Sequence, residues 1–224
     1  MRRIFPLSFF FILVSCTPQV PAVDVEKDVV YVYADAFSEA WLPALYTCAE
    51  RSPELLVYRA SDIDTANIIL RLNGYPRLDT PAYHLADVEF VVATNAQNPL
   101  DTLSLEDVHA IFIGKITNWA QLGWDDALIQ IWGYTSETGL NGVLLQGEKL
   151  SSLAKQAQSP VAMRDAITAD QYEIGFIPLE MVLSDPSIQK ISFAQPMKLP
   201  LLILLREESD SSKSVVACLQ RNTD

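Results

Sequence analysis

Apolar residues along this chain fall into short runs separated by polar and turn-forming segments, and each run carries its own periodicity. Val29-Val30-Tyr31-Val32-Tyr33 is β-branched and aromatic and predicts a strand. Ser38 is placed to cap a helix over 39–51, and Pro43 lies early in it, where a missing N–H costs little. Leu55 to Tyr58 predicts a second strand and 66–72 a third. Val88 to Val92 predicts a fourth, after a loop rich in Pro and Asp over 74–81. Ser104 and Asp107 approximate a capping box. Behind them, Leu105, Val108, Ile111 and Phe112 put one apolar face on a helix that Gly114 can terminate. Further strands are predicted at 128–132, 173–177, 188–193 and 199–205. A turn-rich stretch at 133–139 precedes a helix from Leu140, and a closing helix is predicted over 209–220. Strands alternating with helices predict an α/β fold, and no internal repeat or low-complexity tract interrupts it.

The first residues follow a different pattern. Met1-Arg2-Arg3 is basic, and Ile4 to Val14 is an apolar run broken only by Pro6 and Ser8. Eleven residues rise about 16 Å as a helix, roughly half of a bilayer core. That length suits a signal peptide over 1–15 and is too short to span. Leu13-Val14-Ser15-Cys16 resembles the bacterial lipobox, whose cysteine thiol takes a diacylglyceryl group before cleavage. The resemblance implies lipidation at Cys16 and a tether over 16–27 that contains Pro18 and Pro21. It also implies an exported protein held by its acyl chains on a bacterial membrane, on the periplasmic or cell-surface side.

With 224 residues, 50% hydrophobic and 20% charged, the chain suits one globular domain or two small lobes and excludes a disordered chain or a coiled coil. The net charge is −12, and −14 once Arg2 and Arg3 leave with the signal peptide. Such a surface repels phosphate backbones and anionic headgroups, so nucleic acid is not an expected partner. Eight glycines and two histidines leave little for nucleotide loops or histidine metal sites. His84 and His109 have no nearby cysteine or paired carboxylates, so neither a metal nor a cofactor is expected. Asp125-Asp126 reads as a solvated turn, Ser136 has no general base close in sequence, and no Gly-x-Ser-x-Gly elbow exists. Enzyme activity is therefore not expected. With Cys16 lipidated, Cys48 and Cys218 remain, a pair that favours a disulfide in an exported protein and core thiols in a cytosolic one.

The most distinctive stretch is Asn98-Pro99-Leu100, Leu103 to Asp107 and Ile111-Phe112-Ile113-Gly114-Lys115-Ile116-Thr117-Asn118-Trp119. It resembles the phosphate-type substrate-binding proteins of ABC importers, which carry a strand, an Asn-Pro, a "LTLEQL" helix and then "IFxGKITNW". Ser159-Pro160 through Ile174-Gly175-Phe176-Ile177-Pro178-Leu179 is similar to their "AIGYVPL" block, and Gln195-Pro196 through Leu205 to their returning "RPLYL" strand. A nucleotide phosphate loop around Gly114-Lys115 is excluded, because His109 and Ile116 stand where that motif needs Gly and Ser or Thr. The resemblance implies a two-lobed fold of the type 2 periplasmic-binding-protein kind, with ligand in the cleft. Lobe one would be 28–93 plus 198–224, lobe two 94–197, and the hinge strands 90–94 and 199–205. In that fold the helices bearing Cys48 and Cys218 both pack on lobe one, which implies a disulfide between them.

Holding a small oxyanion takes converging amides, hydroxyls and often a bidentate arginine. The family's "R-x-S-G-S-G-T-R" segment falls on 134–141. The resemblance thereby implies Ser136, Thr138, Gly139 and Asn141 as ligand-binding residues, with Ser38 from the loop after the first strand. The chain departs from the pattern at several points. Leu140 replaces a threonine, Asn141 replaces the arginine, and Glu137 puts a carboxylate where the family has glycine. A "GS-x-T" loop falls on Ala34-Asp35-Ala36-Phe37. The family's anion loop and helix between strands two and three are missing, since Arg59-Ala60-Ser61-Asp62 passes directly into 63–66. Losing one charge-assisted hydrogen bond costs roughly 1.5–3 kcal/mol. Arg59 reads as a surface residue, and Trp41, Trp119, Trp124 and Trp132 read mainly as packing. The expectation is an extracytoplasmic solute-binding lipoprotein with a degenerate anion site, whose partners are a small-molecule solute of unstated identity and an ABC permease. The alternative is a non-transport interaction or sensory lipoprotein that kept the fold and lost the ligand. Converging donors in the cleft favour the first; a cleft filled by the protein's own side chains favours the second.

Overall fold

Strand β1 (Asp28–Ala34) alternates in burial, with Val30, Val32 and Ala34 facing the core and Val29 and Tyr31 facing out. The computed structural model describes residues 27–52, 54–72, 81–135, 140–192 and 197–221, so Cys16, Ser136, Thr138 and Gly139 lie outside the described residues. The helix expected over 39–51 is shorter and begins differently. A 3-10 turn (Glu39–Trp41) leads into α1 (Leu42–Ala49), with Pro43 in its first turn. Ser38 does not cap it, because its side chain is fully buried and turned toward the next strands. Strands β2 (Leu55–Arg59) and β3 (Ile68–Leu72) follow, and both pair in parallel with β1.

Strand β4 (Ala82–Asn95) is far longer than the apolar run 88–92 suggests. Its first half pairs antiparallel with β9 (Met197–Leu205), and the register shifts between His84 and Ala86. That bulge at Leu85 breaks the alternation that would have marked one continuous strand. The second half pairs antiparallel with β7 (Glu173–Pro178) and β8 (Ile188–Lys190). Between these lie α2 (Leu105–Phe112), β5 (Gln130–Tyr134), α3 (Leu140–Leu144), β6 (Lys155–Ala157), α4 (Pro160–Ala169) and α5 (Leu179–Ser184). As predicted, Ser104 caps α2 by accepting from the Asp107 amide, and Gly114 follows its end at φ +81°, a conformation that favours glycine. Among the described residues the strands form one sheet in the order β2-β1-β3-β9-β4-β7-β5-β6, with β8 on β4.

The last helix, α6 (Asp210–Arg221), packs against α1. Cys48 on α1 and Cys218 on α6 are joined as a disulfide, with their Cα atoms 5.8 Å apart. The link spans a sequence separation of 170 residues and ties the start of the described chain to its end. Peptide mapping without reductant should recover this linkage. Replacing both cysteines with alanine should lower stability by about 3–5 kcal/mol in guanidinium unfolding; two unbonded thiols in protein purified without reductant would contradict the fold's pairing.

Candidate functional site

The loop after β1 is organised by one carboxylate. Asp35 Oδ1 accepts the amide N–H of Phe37 at 3.1 Å and of Ser38 at 2.9 Å. The Ser38 hydroxyl lies 2.6 Å from the same oxygen and 2.8 Å from the Leu70 carbonyl on β3. The hydroxyl has one proton and faces three acceptors, Asp35 Oδ1, the Asp35 carbonyl at 3.2 Å and the Leu70 carbonyl, so it is shared among groups of the protein itself. Burial pushes the Asp35 carboxyl above its ordinary value of 3.8, against the lowering effect of the Ser38 and Phe37 donors. Ser38, expected to face a ligand, thus spends its hydroxyl inside the protein.

At the far side of this loop, Phe37 meets the end of β5. Its ring lies edge-on to Tyr134, with centroids 4.8 Å apart at 76°. Phe90 on β4 completes the group, 6.3 Å from Phe37 and 6.4 Å from Tyr134. Tyr134 is fully buried and donates its hydroxyl to the Phe176 carbonyl on β7 at 2.8 Å. Burial raises its phenol above 10.0, so it stays a donor. Asn141 is equally committed. Its Oδ1 accepts the Tyr134 amide at 2.8 Å, and its Nδ2 donates to the Tyr134 carbonyl, so the side chain clamps onto the Tyr134 backbone. Gly133 makes room for this clamp, since a Cβ there would lie 3.1 Å from Asn141 Oδ1 and 2.3 Å from Leu150 Cδ2.

Two of the segments that the sequence assigns to a ligand site therefore do meet, but through aromatic rings. Sequence reasoning assigns no ligand role to Phe37 or Tyr134. Their signal was present, because each stands where the resembled pattern has a hydrogen-bonding residue. Arg59 pairs with Glu39 at the surface, and Asp62 caps a 3-10 turn by accepting the Asp64 amide. The tryptophans are packing residues. Trp119 is fully buried and donates to the Tyr172 carbonyl, Trp124 packs on Trp119 and Tyr172, and Trp132 donates to Glu173. Asp125 and Asp126 accept from Tyr172 and Asn118. An open groove of about 490 Å³ runs beside Asn141, lined by Glu148, Lys149, Ser151 and Gln156 among others. Among the described residues, no group of three His, Cys, Asp or Glu side chains is placed to hold a metal ion.

Replacing Asp35 by Asn should test the carboxylate's place in this loop. A carboxyl with a raised folded value holds its proton to higher pH than the unfolded chain does, so the stability it contributes is present at low pH. It falls as pH climbs above 3.8 through the raised value. In urea titrations across this interval, Asp35→Asn should flatten the decline; an unchanged slope would remove Asp35 as its source.

A family profile described as PBP superfamily domain matches residues 82–218. A phosphate ABC transporter substrate-binding protein of Clostridium perfringens, solved with bound phosphate, is similar at TM-score 0.72 and 18% identity, covering 86% of this chain and 93% of that one. An ABC-type phosphate transport receptor of Vibrio cholerae is similar at 0.63 and 21%, covering 85% and 93%. The reduced OxyR regulatory domain of Pseudomonas aeruginosa is similar at 0.61 and 14%, covering 86% and 97%. No curated protein matches the chain. At these identities the structural likeness shows the fold, the two-lobed α/β architecture that the sequence resemblance implied.

Proposed function

The chain belongs to the PBP superfamily, and from that premise we propose that it is an exported, lipid-anchored protein of the solute-binding type whose anion site is degenerate. Lobe one is 28–93 plus 198–224 and lobe two is 94–197, with β4 and β9 crossing between them. The observation that supports the degenerate site in this reading is the edge-on contact of Phe37 with Tyr134, where the loop after β1 meets the end of β5. Asp35 occupies the amides and hydroxyl of that loop. Asn141, in the slot of the resembled arginine, is hydrogen-bonded to the Tyr134 backbone. An arriving oxyanion would have to displace one carboxylate and two aromatic rings, and at Asn141 it would meet an amide where the resembled pattern has a guanidinium.

The same contact favours the second reading, a non-transport interaction or sensory lipoprotein that kept the fold and lost the ligand. The likeness to a regulatory domain alongside the transport proteins supports a fold whose use is not fixed by its architecture. A small solute and an ABC permease are the partners of the first reading, and neither reading includes catalysis. Thermal shift against neutral, zwitterionic and cationic solutes separates them, because binding to the folded state raises the melting temperature and the second reading expects no rise.

Orthophosphate is expected not to bind at micromolar concentration, which would take about −8 kcal/mol. Isothermal titration decides this, and a dissociation constant below about ten micromolar would overturn the degenerate-site reading. The anchor is tested separately. Cells fed a fatty-acid analogue should label the wild-type chain and leave Cys16→Ser unlabelled; label persisting in that variant would refute acylation at Cys16. Among the described residues no helix is long and apolar enough to cross a membrane.

A further inference from the structure

Parallel strands are ordinarily covered on both faces, because the crossovers between them lay helices on the sheet. β1, β2 and β3 are parallel neighbours, and their two crossovers are unequal. The β1–β2 connection carries α1, whose Leu42, Leu45, Cys48 and Ala49 are buried in one core with Val30, Val32 and Ala34. The β2–β3 connection is only Ala60–Asn67, with a single 3-10 turn at Ile63–Thr65. Parallel crossovers usually take a dozen residues or more. This short one closes a small patch, where Ala60, Ala66, Ile69 and Leu204 are buried with Ile63 and Tyr33 against them. Toward the start of β1 the same face stays open. The register pairs Val29 with Leu56 and Tyr31 with Tyr58. Val29 is 47% exposed, Tyr31 45% and Tyr58 51%, with the two tyrosine rings 6.1 Å apart.

We infer that this tyrosine-bearing sheet face rests on the headgroup layer of the membrane that carries the anchor. The inference rests on the acylation of Cys16 proposed above. Val29 follows Cys16 by thirteen residues, a span of at most about 45 Å, so the open face begins at the tether's end. Tyrosine suits that layer, with an apolar ring and a polar tip. The tether also holds the face at high effective concentration, so a weak contact is enough. A second copy fits poorly. Three half-exposed side chains offer on the order of 300 Å² per copy, well short of the roughly 800 Å² that a stable partner surface buries. Two acidic bodies would also repel each other. The same charge makes zwitterionic lipid the favoured surface and anionic lipid a weaker one.

The test uses the full acylated chain with Tyr58→Cys, reconstituted in phosphatidylcholine–phosphatidylethanolamine vesicles. With Cys48 and Cys218 bonded and Cys16 acylated, the introduced thiol takes a nitroxide label. Leu183→Cys on α5, at a position 78% exposed, is the control. Relaxation by lipid-soluble oxygen relative to a water-soluble nickel chelate should be several-fold higher at 58 than at 183, and the difference should shrink when anionic lipid is added. Equal values at the two positions in an acylated protein overturn the face and leave the anchor standing. A chain whose mass shows no acyl group overturns the anchor and the face with it. Spin–spin broadening at 58 would assign the face to a second copy and overturn the membrane contact.

Discussion

β4 carries the hydrogen bonding of both halves of the sheet, and the placement of every other element depends on it. Residues 82–90 pair with β9, 90–94 with β7 and 93–95 with β8. From Phe90 to Asn95 the strand is buried throughout. A strand covered on both faces must be apolar or must satisfy each polar group it buries. Asn95 does so by donating to the Thr168 carbonyl and accepting the Gln97 amide. Because the strand runs straight from one half into the other, it brings the loop after β1 and the end of β5 to the same place, with Phe90 beneath both.

What fills that place decides what the protein can bind. Edge-to-face aromatic pairs add about 0.5–1.5 kcal/mol beyond the area they bury. The Phe37–Tyr134–Phe90 group therefore holds the two segments together directly. The loop's donors are directed in the same way, toward Asp35 and the Leu70 carbonyl. An anion site needs donors with no internal acceptor in reach and a cation to offset the desolvated charge. Here Asp35 is an acceptor within the loop, and the Asn141 amide both donates to and accepts from the Tyr134 backbone.

The brevity of the β2–β3 connection has two consequences at once. It leaves little chain from which a second anion loop could be made, and it leaves the outer face of β1 and β2 uncovered. Both follow from the same eight residues, Ala60–Asn67.

The α/β class and the caps of α2 were legible because they depend on local periodicity and on capping chemistry within a few residues, whereas Leu105, expected on that helix's apolar face, is 53% exposed. The likeness of 90–206 to a binding-protein fold was legible for the same reason, since it rests on contiguous motifs. The extent of β4 was not, because a bulge at Leu85 reverses which face successive residues present. The part played by Ser38 was not either. A serine before a helix caps it or turns inward according to whether an acceptor from another strand lies within reach, and Leu70 is thirty-two positions away. The sequence by itself determined which residue types were available at the expected site: no arginine, an added carboxylate and two aromatics. Only the tertiary structure decided that these aromatics meet, because Phe37 and Tyr134 lie on segments that the chain brings together only after the sheet has formed.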